Sequence, residues 1–74
     1  MNVWNLTVRE LAVIALLAAS ATRREIGVEL GIVEKTVKNT ALSAYRRMNV
    51  RNAVAACLAY SREYGIPETY RPSE

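Results

Sequence analysis

The sequence contains no histidine, a single cysteine, Cys57, and only two prolines, both near its C-terminal end. Without histidine, the chain lacks Ser-His and Cys-His catalytic pairs and the commonest metal ligand. A lone cysteine forms neither an intrachain disulfide nor a Cys-based zinc site. No apolar run reaches the roughly 18 residues of a membrane span. These absences predict a protein of the reducing cytoplasm that is not an enzyme and needs no cofactor, metal or membrane.

Positive charge is concentrated in the middle of the 74-residue sequence. Residues 22–51 hold seven Lys and Arg against three Glu, whereas the rest of the chain holds three Arg against four Glu. A localised basic segment in one small domain is typical of proteins that bind a polyanion such as nucleic acid. A solvated protein surface gives the same pattern, so charge alone leaves both interpretations open.

Apolar periodicity and capping residues predict four helices and no strands, which is an all-α fold. Two capping boxes, Thr7 with Glu10 and Thr22 with Glu25, mark helix starts, and Gly31 marks a helix end. In the first helix, Val13, Leu16 and Leu17 are expected to form the inner stripe. The predicted helices are Val8–Ala19, Arg23–Leu30, Glu34–Arg47 and Ala53–Tyr64.

The third predicted helix has two unlike faces. Its apolar face holds Val37, Ala41, Ala44 and Met48, and its opposite, mostly polar face holds Lys35, Asn39, Leu42 and Arg46. Two short helices joined by a glycine-containing turn, the second with a basic outer face, indicate a helix-turn-helix. A helix of about 14 residues is about 21 Å long, and the DNA major groove is about 12 Å wide, so this helix fits the groove.

The residue types on the third helix suit double-stranded DNA. Lys38 matches guanine acceptors, Asn39 matches adenine, and Leu42 suits a thymine methyl group. Arg46 and Arg47 lie at the far end of the helix, where they would contact phosphates or form a solvated helix end favoured by the helix dipole.

Four segments resemble the LuxR/GerE-type helix-turn-helix domain over residues 6–66: Leu6-Thr7-x-Arg9-Glu10, Glu25-Ile26-x-x-x-Leu30-Gly31-Ile32, Lys35-Thr36-Val37-Lys38-Asn39, and Val50. The resemblance implies a four-helix domain that dimerises through the fourth helix and binds an inverted repeat. It implies base readout by Lys38, Asn39 and Leu42. It also implies phosphate contacts from Thr22, Arg24, Lys35 and Thr36.

The sequence departs from this family at four positions. Val33 stands where the family prefers Ser, so the third helix lacks a side-chain N-cap, at a cost of about 1 kcal/mol. Thr40 replaces a usual His and Ala53 a usual Arg. Asn49 replaces a usual Gly, but Asn tolerates a left-handed conformation.

The fourth predicted helix is apolar nearly all round. Such a helix needs two buried faces, and a small monomer offers only one, so a homodimer is predicted. Tyr60 and Tyr64 would line the dimer interface, where tyrosine is enriched, or cover the core. Cys57 is interpreted as a small buried apolar residue. The predicted dimer residues are Ala53, Ala56, Cys57, Tyr60 and Tyr64.

The first helix carries a second apolar strip, which is expected to point outward. Leu11, Ala15 and Ala18 form it, either as scattered surface residues or as a contact surface for another regulatory protein. The predicted function is a cytoplasmic, nucleoid-associated transcription regulator of bacterial or phage type. The alternative is a protein-interaction module that uses the first helix, the fourth helix or the tail.

Three segments are predicted along the chain. Residues 1–5 form a lead-in in which Trp4 anchors on the domain, residues 6–66 form the DNA-binding domain, and residues 67–74 form a flexible tail. These lengths leave no room for the receiver or sensor domain that often precedes this module. In a complete protein of this length, any switch would have to come from outside the chain.

Overall fold

The computed structural model describes residues 3–72, and all regular secondary structure in that range is helical. The helices are α1 (Val8–Ala18), α2 (Arg23–Leu30), α3 (Glu34–Met48) and α4 (Ala53–Tyr64). The predicted all-α, four-helix fold is therefore confirmed, with the ends of α1 and α3 shifted by one residue. No helix in this range is long and apolar enough to cross a membrane. Residues 1–2 of the predicted lead-in and 73–74 of the predicted tail lie outside the described residues.

Local sequence sets where the helices begin. The Thr7 hydroxyl accepts a 3.1 Å bond from the Glu10 amide, and the Glu10 carboxylate accepts a 2.9 Å bond from the Thr7 amide. Thr22 and Glu25 repeat this arrangement with the same distances. Both capping boxes are thus confirmed. The start of α3 at Val33 has no side-chain cap, also as predicted.

The turn of the helix-turn-helix depends on two glycines. Gly31 ends α2 with φ 69°, a left-handed conformation that glycine adopts without strain. A Cβ atom at Gly27 would lie 2.6 Å from the carbonyl oxygen of Ile32. Glycine is therefore required at position 27 for α2 to approach the turn, which the sequence pattern had not shown.

The core consists of two clusters on either side of α1. The first joins α1 to α3 and α4, and the second joins α1 to α2 and α3. Neighbouring residues of α1 serve the two clusters, because Ile14 is fully buried in the first and Val13 in the second. The predicted inner stripe is confirmed for Val13, which is fully buried, and for Leu16 and Leu17, which are half-buried and pack against the second cluster. The fully buried Ile14 was missed.

Trp4 and Tyr70, which lie near the two ends of the described residues, both pack on the domain. Trp4 lies edge-on against Tyr64, with ring centroids 6.1 Å apart, which confirms the predicted anchor. Beyond Gly65 the chain returns to α1, where the Tyr70 amide donates a 2.7 Å bond to the Ala19 carbonyl. The Tyr70 ring packs against the second core cluster. Tyr70 thus makes tertiary contacts that the predicted flexible tail did not include, because they join distant parts of the chain.

Candidate nucleic-acid interface

The outer face of α3 is a mixed basic and polar surface. Burial of Val37, Ala41, Ala44 and Met48 against the core turns the opposite side of the helix to solvent. The three predicted base-contacting residues, Lys38, Asn39 and Leu42, are all exposed. Their side chains are thus on the solvent-facing surface of α3.

The predicted phosphate-contacting residues at the start of the helix pair are also exposed. Thr22 and Arg24 begin α2, and Lys35 and Thr36 lie in the first turn of α3. The Thr22 hydroxyl already accepts the Glu25 amide, but its proton is still free to be donated. Helix starts carry partial positive charge, so these positions suit a phosphate group.

A buried carboxylate, which the sequence pattern did not reveal, joins α1 to α3. Glu10 is only 5% exposed, and its Oε2 accepts a 2.6 Å hydrogen bond from the Ser43 hydroxyl. Its Oε1 lies 3.3 Å from Nε of Arg47. Burial alone would raise the pKa of Glu10, but the hydrogen bonds from Ser43 and Thr7 and the charge of Arg47 outweigh it and lower the pKa.

The two arginines near the end of α3 differ in their environment. Arg46 is exposed and pairs with no carboxylate among residues 3–72. Arg47 is engaged with Glu10 through Nε, although about half of its side chain, 48%, remains exposed. Sequence reasoning had treated the two as an equivalent pair, because the bond from Arg47 to α1 spans distant parts of the chain.

Two clefts flank the start of α3. One has a volume of about 490 Å³ and is lined by residues of α2 and the turn, Arg24 and Val28 among them, together with Val33. The other has a volume of about 320 Å³ and is lined by polar residue types from the start of α1 and from α3. This second cleft places Arg9 on the same surface as Asn39. Arg9 had not been predicted as a site residue, since only tertiary packing brings it beside α3.

The predicted dimer residues on α4 are not equally accessible. Ala56 is 0% exposed within the first core cluster, so its assignment to a dimer interface is wrong. Ala53, Cys57 and Tyr60 are half-buried. Tyr64 is partly exposed, with its ring centroid 4.9 Å from that of Tyr60.

Two aliphatic side chains of α4, Val54 and Leu58, are the most exposed of its large apolar residues, by 70% and 56%. Both were missed, because a helix that is apolar all round does not reveal which face is outward. They line a groove of about 360 Å³ between α4 and the end of α1. Cys57 lies in the same groove, and burial raises the pKa of its thiol, so the thiol stays protonated at neutral pH.

The apolar strip of α1, which was expected to point outward, lies partly against α4. Leu11, Ala15 and Ala18 are half-buried, and Leu11 packs against the first core cluster. Ala18 lines the groove beside Val54. The freely outward orientation predicted for this strip is therefore wrong. The helical angle places these residues beside the core stripe, where α4 covers them in part.

Comparison with known proteins agrees with this architecture. The family model described as bacterial regulatory proteins, luxR family, matches residues 4–59, about three quarters of the chain. Comparisons with curated proteins and with solved structures gave no match. The match covers α1, α2 and α3 and the first half of α4. The chain therefore belongs to the luxR family of bacterial regulatory proteins, which are DNA-binding helix-turn-helix transcription regulators.

Proposed function

We propose that this protein regulates transcription at the nucleoid by binding an inverted-repeat DNA site as a homodimer, with α3 in the major groove. The observation that supports this most strongly is the outer face of α3. It exposes Lys35, Asn39 and Arg46 around the apolar Leu42, on a helix whose other side is fully engaged with the core. A helix of this diameter enters the major groove.

Base recognition falls to the middle of α3. The Lys38 ammonium group donates to guanine O6 or N7, and the Asn39 amide pairs with adenine N6 and N7. Leu42 packs against a thymine methyl group. Lys38 and Asn39 are adjacent in one turn of α3 and Leu42 lies in the next turn, so the three side chains contact neighbouring base pairs.

Phosphate contacts on both sides of α3 fix its position in the groove. Thr22 and Arg24 contact one DNA strand from the start of α2, and Lys35 and Thr36 contact it from the start of α3. On the side of the polar cleft, Arg9 contacts the opposite strand. This assignment is supported by the shared surface of Arg9 and Asn39. Phosphate contacts of this kind set register without reading sequence.

Two further phosphate contacts come from the end of α3. Arg46 is free to reach the DNA backbone with its whole guanidinium group. Arg47 contacts the DNA backbone through the guanidinium nitrogens that do not face Glu10. The ion pair with Glu10 fixes the orientation of this planar group.

Dimerisation uses the outward side of α4. Val54 and Leu58 form the apolar centre, with Ala53, Cys57, Tyr60 and Tyr64 at the margins and Ala56 left in the core. Burial of two exposed aliphatic side chains per copy is favourable, at about 25 cal/mol per Å². Two copies related by a two-fold axis would place their recognition helices about 34 Å apart, one turn of DNA.

Selection of bound sequences from a random duplex pool tests this function. The expected result is an enriched palindrome with half-sites one helical turn apart. Failure to enrich any sequence would contradict sequence-specific binding. Enrichment of a single, non-repeated half-site would retain DNA recognition and contradict the dimer.

A second candidate function is a protein-interaction module that binds another regulatory protein. The observation that favours it is Val8, which is 88% exposed beside Leu11 and Ala15, in a second apolar groove of about 370 Å³ between α1 and Tyr60. A gel-shift series over salt concentration separates the two functions. Absence of DNA binding even at low salt would favour the interaction module.

A further inference from the structure

The C-terminal segment makes contacts that the family match does not cover. The match ends at residue 59. The chain continues beyond Gly65, which ends α4, and runs back to the C-terminal end of α1 at Ala19. Tyr70 contacts the rest of the domain in three ways on this return, through its backbone amide, its hydroxyl and its ring. We call residues 66–72 the strap.

The strap first contacts the junction between α1 and α2. Ser20 follows the end of α1 with φ 72°, a left-handed conformation that is uncommon for a residue other than glycine. The Ala19 carbonyl just before it lies past the last turn of α1 and has no partner within the helix. The amide of Tyr70 donates to this carbonyl at 2.7 Å. The strap therefore supplies a hydrogen bond to the end of α1.

The strap also contacts α2 directly. The Tyr70 hydroxyl donates a 3.2 Å hydrogen bond to Oε1 of Glu29, in the last turn of α2. Its ring packs against the core cluster that contains Ile26 of α2 and Val13 of α1. Burial, this hydrogen bond and the charges of Glu29 and Glu25 raise the pKa of Tyr70, so the hydroxyl keeps its proton at neutral pH.

Helix α2 is the shortest of the four helices. It has only eight residues, and an isolated helix of that length is unstable in water. Its position is set by packing against its neighbours, and Tyr70 is one of those neighbours. The same helix begins with Thr22 and Arg24, the phosphate-contacting pair of the proposed DNA interface.

We propose that residues 66–72 act as a strap that holds α2 in its DNA-binding position, so that release of the C-terminal segment weakens DNA binding through α2. The effect on DNA rests on the proposed function, but the effect on α2 does not. The strap connects the end of the proposed dimer helix, α4, to the helix that begins the DNA interface.

Hydrogen exchange on the full chain without DNA tests the first part. Tyr70→Ala is expected to speed exchange of the α2 amides about tenfold while the α4 amides keep their rates. Tyr70→Phe retains the ring and the backbone bond, so it is expected to exchange nearly as the parent does. Arg71→Ala is the matched control within the strap. Unchanged α2 exchange in Tyr70→Ala, or equal acceleration in every helix, would overturn the strap.

DNA affinity tests the second part. Tyr70→Ala is expected to bind the selected duplex several-fold more weakly than Tyr70→Phe and Arg71→Ala. Faster hydrogen exchange in α2 together with unchanged DNA affinity would overturn the link between the strap and DNA binding. A parent chain that binds no DNA, combined with the expected exchange pattern, would contradict the proposed function and leave the strap on α2 intact.

Discussion

The Ser43 hydroxyl of α3 donates a 2.6 Å hydrogen bond to the Glu10 carboxylate of α1. The other oxygen of Glu10 accepts the amide of Thr7 and lies beside Arg47. A buried carboxylate is tolerated only when its oxygens are paired in this way. One side chain thus caps α1 and fixes α3 against it, and α3 is the helix on which the proposed DNA contacts lie.

Removal of this carboxylate is expected to destabilise the fold. Glu10→Ala leaves Ser43, Arg47 and the Thr7 amide without their shared acceptor, and we expect a loss of about 2–3 kcal/mol in the free energy of unfolding. Urea unfolding measures it. Glu63→Ala, which removes an exposed glutamate of α4, is the control and is expected to change the value by less than about 0.5 kcal/mol. Equal losses in the two variants would contradict the role of Glu10.

The same carboxylate predicts a pH dependence of stability. Because the pKa of Glu10 is lower in the folded protein than its ordinary value of 4.5, the unfolded chain binds a proton at higher pH than the folded chain does. The contribution of Glu10 is therefore fully present above pH 4.5 and is lost as the pH falls through the folded pKa. Thermal unfolding over an acid pH series that starts near neutrality measures it. Glu10→Gln is expected to show a shallower decline, and a decline as steep as that of the parent would assign the acid sensitivity to other groups.

Arg9 is expected to contribute one phosphate contact per copy. Arg9→Ala should weaken binding to specific and random duplexes alike, and the negative slope of log K against log salt should become shallower by about 0.9 for each phosphate that is no longer neutralised. Arg62→Ala, in the last turn of α4, removes the same charge outside the proposed interface. Fluorescence anisotropy over a salt series measures both variants. A slope for Arg9→Ala that matches that of Arg62→Ala would remove Arg9 from the interface.

Leu58 is expected to control dimerisation. Leu58→Asp places a charge in the apolar centre of the proposed interface, so the chain should be monomeric where the parent is dimeric. Val8→Asp introduces the same charge at an exposed valine of α1 and should leave the dimer intact. Sedimentation equilibrium distinguishes these outcomes. A parent chain that stays monomeric at tens of micromolar would contradict dimerisation through α4.

The helices could be predicted from sequence because their signals are local. Thr7 with Glu10 and Thr22 with Glu25 lie within one helical turn of each other. Asn49 adopts the left-handed conformation that the sequence comparison with the family allowed for it. The exposed face of α3 could also be predicted, since the helix has strongly contrasting sides.

The errors concern contacts between distant parts of the chain. The bond from Ser43 to Glu10 spans 33 residues, and that from Tyr70 to Glu29 spans 41. On α4, residues 53–60 include no charged residue that would mark the outer face, so Ala56 was assigned to the wrong side and Leu58 was missed. The partners of these hydrogen bonds and the outward face of α4 are determined only by how the helices pack against one another.

Base reading by α3 is tested by comparing the affinity of the protein for specific and for random DNA. The double variant Lys38→Ala with Asn39→Ala is measured against the selected site and a random duplex, with Lys35→Ala as the phosphate-contact control. Each good bidentate contact discriminates by about 1–3 kcal/mol, so we expect the specificity ratio to fall at least about tenfold in the double variant. In Lys35→Ala, both affinities should fall together. An equal loss on both duplexes in the double variant would contradict base reading by α3.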